Sequence, residues 1–274
     1  MPELPEVETI KSGLVNNLIG EVITSIKIYQ PKLRWTIDST IHKKLKNATI
    51  IDIGRRAKYL IIYTTKGNLI IHLGMSGSLL IKSESRKKEK HDHVIIHLNK
   101  LLLLYNDPRR FGCILFTTGD PLQHRLLEKL GPEPLSCNFN HSYFLQKIAK
   151  SARNIKTLIM DQKIVVGVGN IYACEALFLA KINPLSTPKN ITENQIILLV
   201  EKIKETLIKS IRQGGTTLKD YKNIKGKPGY FSQSLYVYGR AGKKCCHCKS
   251  IIASTIISQR NSFYCPNCQE ISSI

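Results

Sequence analysis

Residues 49–73 read T-I-I-D-I-G-R-R-A-K-Y-L-I-I-Y-T-T-K-G-N-L-I-I-H-L. Three short runs rich in Ile, Leu and Tyr, at 49–53, 58–64 and 68–73, are separated by turn residues such as Lys66-Gly67-Asn68, which is the pattern of β-strands. Similar segments lie at 22–29, 78–82, 93–98, 101–105 and 113–117. That density predicts a β-sandwich or barrel. Ahead of it, Val7, Ile10, Leu14, Val15 and Leu18 recur at helical spacing and Gly20 closes the run, so residues 5–19 are expected to be a helix, with a further helix over 40–47. Gly54-Arg55-Arg56-Ala57-Lys58 places three cations at a turn that enters a strand.

After Gly131-Pro132-Glu133-Pro134 the period changes from two to nearly four. Segments 140–150, 154–161, 170–181 and 193–213 are predicted helices, and no strong strand is expected before about 235. Val165-Val166-Gly167-Val168-Gly169-Asn170 is a glycine turn opening a helix, where exposed backbone N–H groups suit an anion such as phosphate. Residues 214–233, rich in Gly and Lys, are expected to form a loop. The fold class is therefore α+β, with boundaries expected at 1–135, 136–234 and 235–274.

The chain carries 41 Lys plus Arg against 20 Asp plus Glu, a formal charge of +21. Such an excess points to a polyanionic partner, nucleic acid first. There is no run of 18 apolar residues, and the N-terminus lacks the basic start and apolar stretch of a signal peptide. The expectation is a cytoplasmic protein with no membrane partner. Cys113, Cys137 and Cys174 are scattered in apolar surroundings, as small buried hydrophobes are. Cys245 and Cys248 form one C-x-x-C pair, and Cys265 and Cys268 another, with 16 residues between. That spacing fits one structural Zn2+ held by four thiolates, with Cys246 and His247 as non-ligands. The β-like stretch 251–257 with Phe263-Tyr264 suggests a hairpin for which zinc replaces a core.

The first eight residues, Met1-Pro2-Glu3-Leu4-Pro5-Glu6-Val7-Glu8, carry chemistry. A start methionine ahead of a small residue is usually removed, leaving Pro2 with a free secondary amine of pKa roughly 8. Such an amine can attack an aldehyde-like sugar carbon and form an iminium, which has no N–H to lose and so stays cationic as an electron sink. Glu3 stands beside it to move protons. The same octet also suits a plain helix start, with Pro5 in the first turn and acids at the positive end of the dipole.

The octet resembles the amino terminus of the formamidopyrimidine-DNA glycosylases, bacterial base-excision enzymes. Further motifs in the family's order carry the resemblance to the end of the chain: R-R-A-K-Y, H-L-G-M-S-G, D-P-R-R-F-G, G-V-G-N-I-Y, G-G-T-T-L and Q-R-x-x-F-Y-C. It implies a β-sandwich domain with flanking helices, a helix-two-turn-helix domain ending in a lesion-capping loop at about 214–233, and a C-terminal β-hairpin zinc finger. It also assigns roles. Pro2 is the nucleophile and Glu3 handles protons. Lys58 reaches the reacting nucleotide and Arg260 holds the phosphates around the lesion, both assisting strand cleavage. Met75, flanked by Gly74 and Gly77, enters the base stack as an apolar wedge. Arg109 and Phe111 fill the rest of the void left by the extruded nucleotide. His72, His91, Asn170 and Tyr238 are further DNA contacts. One departure stands at Ala149-Lys150-Ser151-Ala152-Arg153, where relatives keep an unbroken basic cluster; Lys150 or Arg153 is expected to substitute.

The resemblance implies removal of oxidised purines (8-oxoguanine, formamidopyrimidines) from double-stranded DNA, then β,δ-elimination at the abasic site by a nucleoid-associated monomer. Two rivals differ by a cheap observation each. An endonuclease VIII-like enzyme for oxidised pyrimidines shares Pro2 and Glu3, but Leu4 and the Met75, Arg109 and Phe111 set favour purines. A silent zinc-finger binder of damaged DNA would lack Pro2 or Glu3, and both are present.

Overall fold

The computed structural model describes residues 2–83, 87–216 and 235–271. The chain forms two compact units. The first spans Met1–Glu128 and takes in the chain again from Ile211; the second holds Lys129–Ser210 and the C-terminal 235–271. The architecture is α+β, as the pattern predicts.

The first unit opens with helix α1 (Leu4–Leu18). Leu4, Val7, Ile10, Leu14 and Leu18 share one face and are almost completely buried, each contributing roughly 1.5–3 kcal/mol on leaving water. Two antiparallel sheets follow. One comprises β1 (Val22–Ile23), β3 (Ala48–Arg56), β4 (Tyr59–Thr64), β5 (Gly67–His72) and β9 (Cys113–Thr117), in that order. The other runs β2 (Ser25–Ile28), β7 (Asp92–His97), β8 (Leu101–Asn106) and β6 (Ser78–Ser83). One core joins them. Ile50, Ile53, Leu60, Ile62, Leu69, Ile71 and Ile114 of the first sheet pack with Ile26, Leu79, Val94, Ile96 and Leu103 of the second and with α1. Alternate residues of each strand therefore face inward, as a sandwich requires. The expected strand at 22–29 is split, because β1 pairs with β3 while β2 pairs with β7. The helix expected at 40–47 is the single turn α2 (Ile41–Lys44).

The second unit carries helices α3 (His141–Ile148), α4 (Ile155–Ile159), α5 (Asn170–Leu179) and the start of α6 (Glu193–Arg212). Asn140 and Asn154 cap α3 and α4 by accepting from the backbone N–H of Tyr143 and Thr157. Described strands resume only at β10 (Ala253–Ile257) and β11 (Arg260–Tyr264), later than expected. Their hairpin turns through Ser258 and Gln259, both at positive φ. No described helix is long and apolar enough to cross a membrane.

Candidate active site

Pro2 and Glu3 are both buried at the head of α1, where Glu3 is the N-cap residue in extended conformation. Glu6 accepts the Glu3 backbone N–H at 2.8 Å, one half of a capping box. One turn on, Glu8 anchors the helix to the sheet. Arg55 Nε donates to Glu8 Oε2 at 2.6 Å, and the same guanidinium donates to the carbonyl of Ala57 at 2.7 Å. Burial alone would raise the Glu8 pKa, but Arg55 and then Lys11 hold it below the usual carboxylate range. The three cations expected at one turn thus have different fates. Arg55 and Arg56 end β3, and Arg55 is neutralised by Glu8. Lys58 sits in the two-residue turn between β3 and β4, after Ala57 at a φ of 54°, and is only 8% exposed.

His72 ends β5, with its ring 4.7 Å from that of Tyr59. Burial, followed by the charges of Lys58 and Arg34, pushes its imidazole down to about 4. The neutral ring is consistent with its Nδ1 accepting the Gly74 N–H at 2.9 Å. A folded histidine that protonates at 4 rather than 6.5 binds fewer protons than the unfolded chain between those values. Its contribution to stability is complete above pH 6.5 and falls, by at most about 3 kcal/mol, as pH drops toward 4. Urea titrations should therefore show the stability gap between the unmodified protein and His72→Gln narrowing over that window; a constant gap would remove the assignment.

The segment after His72 exposes Met75, and the segment after β8 exposes Phe111, with the Arg109 guanidinium 4.8 Å above its ring. A buried carboxylate clasps the two loops together. Asp107 accepts from Ser76 Oγ at 2.7 Å, from the Gly112 N–H at 2.9 Å and from Tyr105 Oη at 3.3 Å, while Ser76 Oγ accepts the Arg109 N–H at 3.1 Å. Gly112 is required by close approach: a β-carbon there would lie 1.8 Å from Tyr105 Oη and 2.3 Å from the His72 carbonyl. His91 joins through its backbone, whose carbonyl accepts the Asp107 N–H. Met75 and the Arg109–Phe111 pair, from two separate loops, are therefore presented from one hydrogen-bonded clasp.

In the second unit, Asn170 begins α5 behind Gly169, and its Nδ2 donates to the Asn261 carbonyl at 2.8 Å. Lys156, 1% exposed, donates to Asn170 Oδ1 and Ser262 Oγ, each at 2.5 Å. Arg260, exposed at the start of β11, lines an open cleft with Lys156, Thr157 and Ser258. Neither expected substitute enters this network. Lys150 is exposed beyond α3, and Arg153 is ion-paired to Asp161 at 2.9 Å, although it does border the cleft. Lys156 was missed from sequence; its one signal is a cation inside the apolar run Ile155-Lys156-Thr157-Leu158-Ile159. Tyr238 donates its backbone N–H to Glu175 at 2.8 Å, so that N–H is already used, and its ring packs 5.1 Å from Phe263. Glu175 also takes the N–H groups of Tyr236 and Val237; burial raises its pKa and these three donors pull against it.

The four cysteine Sγ atoms of Cys245, Cys248, Cys265 and Cys268 lie within 4.8 Å of one another. Thiolates at 2.3 Å from a tetrahedral zinc stand about 3.8 Å apart, so the cluster fits one structural ion. His247 instead packs on Phe178 and Tyr236, at 4.9 and 5.7 Å, and Cys246 is exposed.

The whole chain has close relatives among known proteins. The chain is 52% identical to the formamidopyrimidine-DNA glycosylase of Glaesserella parasuis serovar 5 over 274 residues, 99% of each chain. It is 50% identical to that of Vibrio atlanticus, over 98% of this chain and all of the other. This chain belongs to the formamidopyrimidine-DNA glycosylase family. The family's N-terminal domain model matches residues 1–114, its H2TH domain 130–222, and the zinc finger found in FPG and IleRS 242–271. Solved structures of the family superpose closely. Lactococcus lactis Fpg in complex with abasic-site DNA gives a TM-score of 0.92 at 36% identity, covering 98% of this chain and 99% of that one. MutM in complex with carbocyclic 8-oxo-G DNA gives 0.91 at 36%, covering 98% and 100%.

Proposed function

We propose that this protein releases oxidised purines from double-stranded DNA through an iminium formed at Pro2, and then cleaves the strand at the resulting abasic site. The observation that carries the reading is the buried Pro2–Glu3 pair at the head of α1, a helix fastened through Glu8 and Arg55 to the turn that bears Lys58. In the reaction, the Pro2 nitrogen bonds to C1′ while the glycosidic bond breaks and the base leaves with a proton. Opening of the sugar gives the iminium, with Glu3 exchanging the proton of the ring oxygen. Loss of a C2′ proton expels the 3′ phosphate, a second elimination expels the 5′ phosphate, and Lys58 and Arg260 assist these departures. The base must first leave the stack; Met75, Arg109 and Phe111 occupy the space it vacates. Asn170 and Arg260 hold phosphates, with Lys156 fixing Asn170 to β11 from behind; His72, His91 and Tyr238 are further DNA contacts, and zinc keeps the hairpin of Arg260 folded. Lys150 and Arg153 are left as peripheral cations.

The three functional parts follow the proposed boundaries 1–135, 136–234 and 235–274, and the setting is the bacterial cytoplasm, on nucleoid DNA. The lesion-capping role of 214–233 falls mostly outside the described residues. The protein acts as a monomer. Phosphate contacts release counterions, so log affinity should fall linearly with log salt, by about 0.9 per phosphate.

Borohydride trapping on a duplex with one 8-oxoguanine opposite cytosine tests the reading. The expected product is a covalent adduct on the peptide that begins at Pro2. An adduct only on an oxidised pyrimidine would replace the purine assignment, and tight binding without any adduct would leave a silent binder.

A further inference from the structure

Among the described residues, the Glu6 carboxylate makes a bond that the chemistry above does not use. One oxygen takes the Glu3 backbone N–H at 2.8 Å; the other takes the N–H of Thr216, 210 residues away, also at 2.8 Å. Glu6 and Thr216 are 2% and 1% exposed, so both bonds are shielded from water. Gly215 packs on the same side chain. Its φ is +85°, and a β-carbon there would stand 3.1 Å from Glu6 Oε1 and 3.2 Å from its Cγ. A charged acceptor at a helix N-terminus receiving two backbone donors forms short, strong bonds. The backbone at Gly215–Thr216 is thus fastened directly beside the residue that follows the nucleophile.

We infer that Glu6 is a positioning residue for base release: it sets Gly215 and Thr216 against the N-terminus, so that their backbone forms one wall of the space for the departing base. This rests on the proposed function of the Pro2–Glu3 pair. Glu6 touches neither sugar nor base and moves no proton. Its effect is confined to steps in which a base is present, because an abasic sugar presents nothing to that wall.

The test compares two duplexes in single turnover, one with 8-oxoguanine and one with a preformed abasic site, for the unmodified protein, Glu6→Gln and Gly215→Ala. Glutamine keeps one acceptor oxygen and turns an amide N–H toward the other backbone donor, so one of the two bonds is lost. Alanine at 215 pushes on the intact carboxylate from the other side. Both variants should lose at least about tenfold more rate on 8-oxoguanine than on the abasic site, the equivalent of about 1.4 kcal/mol of differential transition-state stabilisation. Thermal midpoints are recorded alongside, since a simple loss of folded protein lowers both rates together. Equal losses on the two substrates, or no loss on either, overturn the inference. Failure of the unmodified protein to cleave the abasic duplex would instead strike at the proposed function itself.

Discussion

Glu3→Gln should lower single-turnover excision of 8-oxoguanine by roughly 10²–10⁴-fold, the range for removing a positioned proton-transfer group. Glutamine is nearly isosteric with glutamate, so the buried N-cap position can be kept. The backbone N–H that Glu3 donates to Glu6 does not depend on its side chain. What is removed is a carboxylate able to take up and return a proton beside the Pro2 amine. The single-turnover rate of base release, measured by strand cleavage after alkali, reads the loss directly. A variant within about threefold of the unmodified protein, with an unchanged melting temperature, would take the proton-transfer role away from Glu3.

Cys265→Ser should lose its zinc and with it at least about 100-fold of affinity for an abasic-site duplex. Cys265 is fully buried, its Sγ 3.4 Å from that of Cys248, and its backbone N–H donates to Gln269. Structural zinc in such hairpins supplies apparent binding energies of about 10–16 kcal/mol, far more than a strand pair of this size could gain from its own packing. The consequence reaches DNA binding through β11. Asn261 and Ser262 on that strand hold Asn170 and Lys156, and Arg260 precedes them. Zinc content by mass spectrometry and affinity by fluorescence anisotropy at fixed salt check it together. Full zinc occupancy with affinity within twofold would show that three thiolates suffice and that the hairpin does not depend on the fourth.

Period and spacing alone were enough for much of this architecture. The apolar face of α1, the strands from 48 onward and the two C-x-x-C pairs are local patterns, and local backbone preference decides them. Where pairing matters, local pattern is silent. Residues 22–29 look like one strand, yet they divide between two sheets because their partners, β3 and β7, lie on opposite faces of the core. The cations of Arg55-Arg56-Ala57-Lys58 look equivalent in sequence, but Glu8, 47 residues earlier, captures Arg55.

The sequence by itself determined the fold class and the metal ligands, and it singled out the Pro2–Glu3 pair on which the proposed chemistry rests, because each is a matter of residue type at short spacing. Only the tertiary structure decided which polar groups are spent on holding the site together. Asp107 closing the Met75 and Phe111 loops, Lys156 joining Asn170 to Ser262, and Glu6 reaching Thr216 are bonds between residues 5 to 210 positions apart. Buried donors and acceptors must find partners at whatever separation the chain brings them. No periodicity records such a pairing, since its energy depends on burial that exists only once the core has formed.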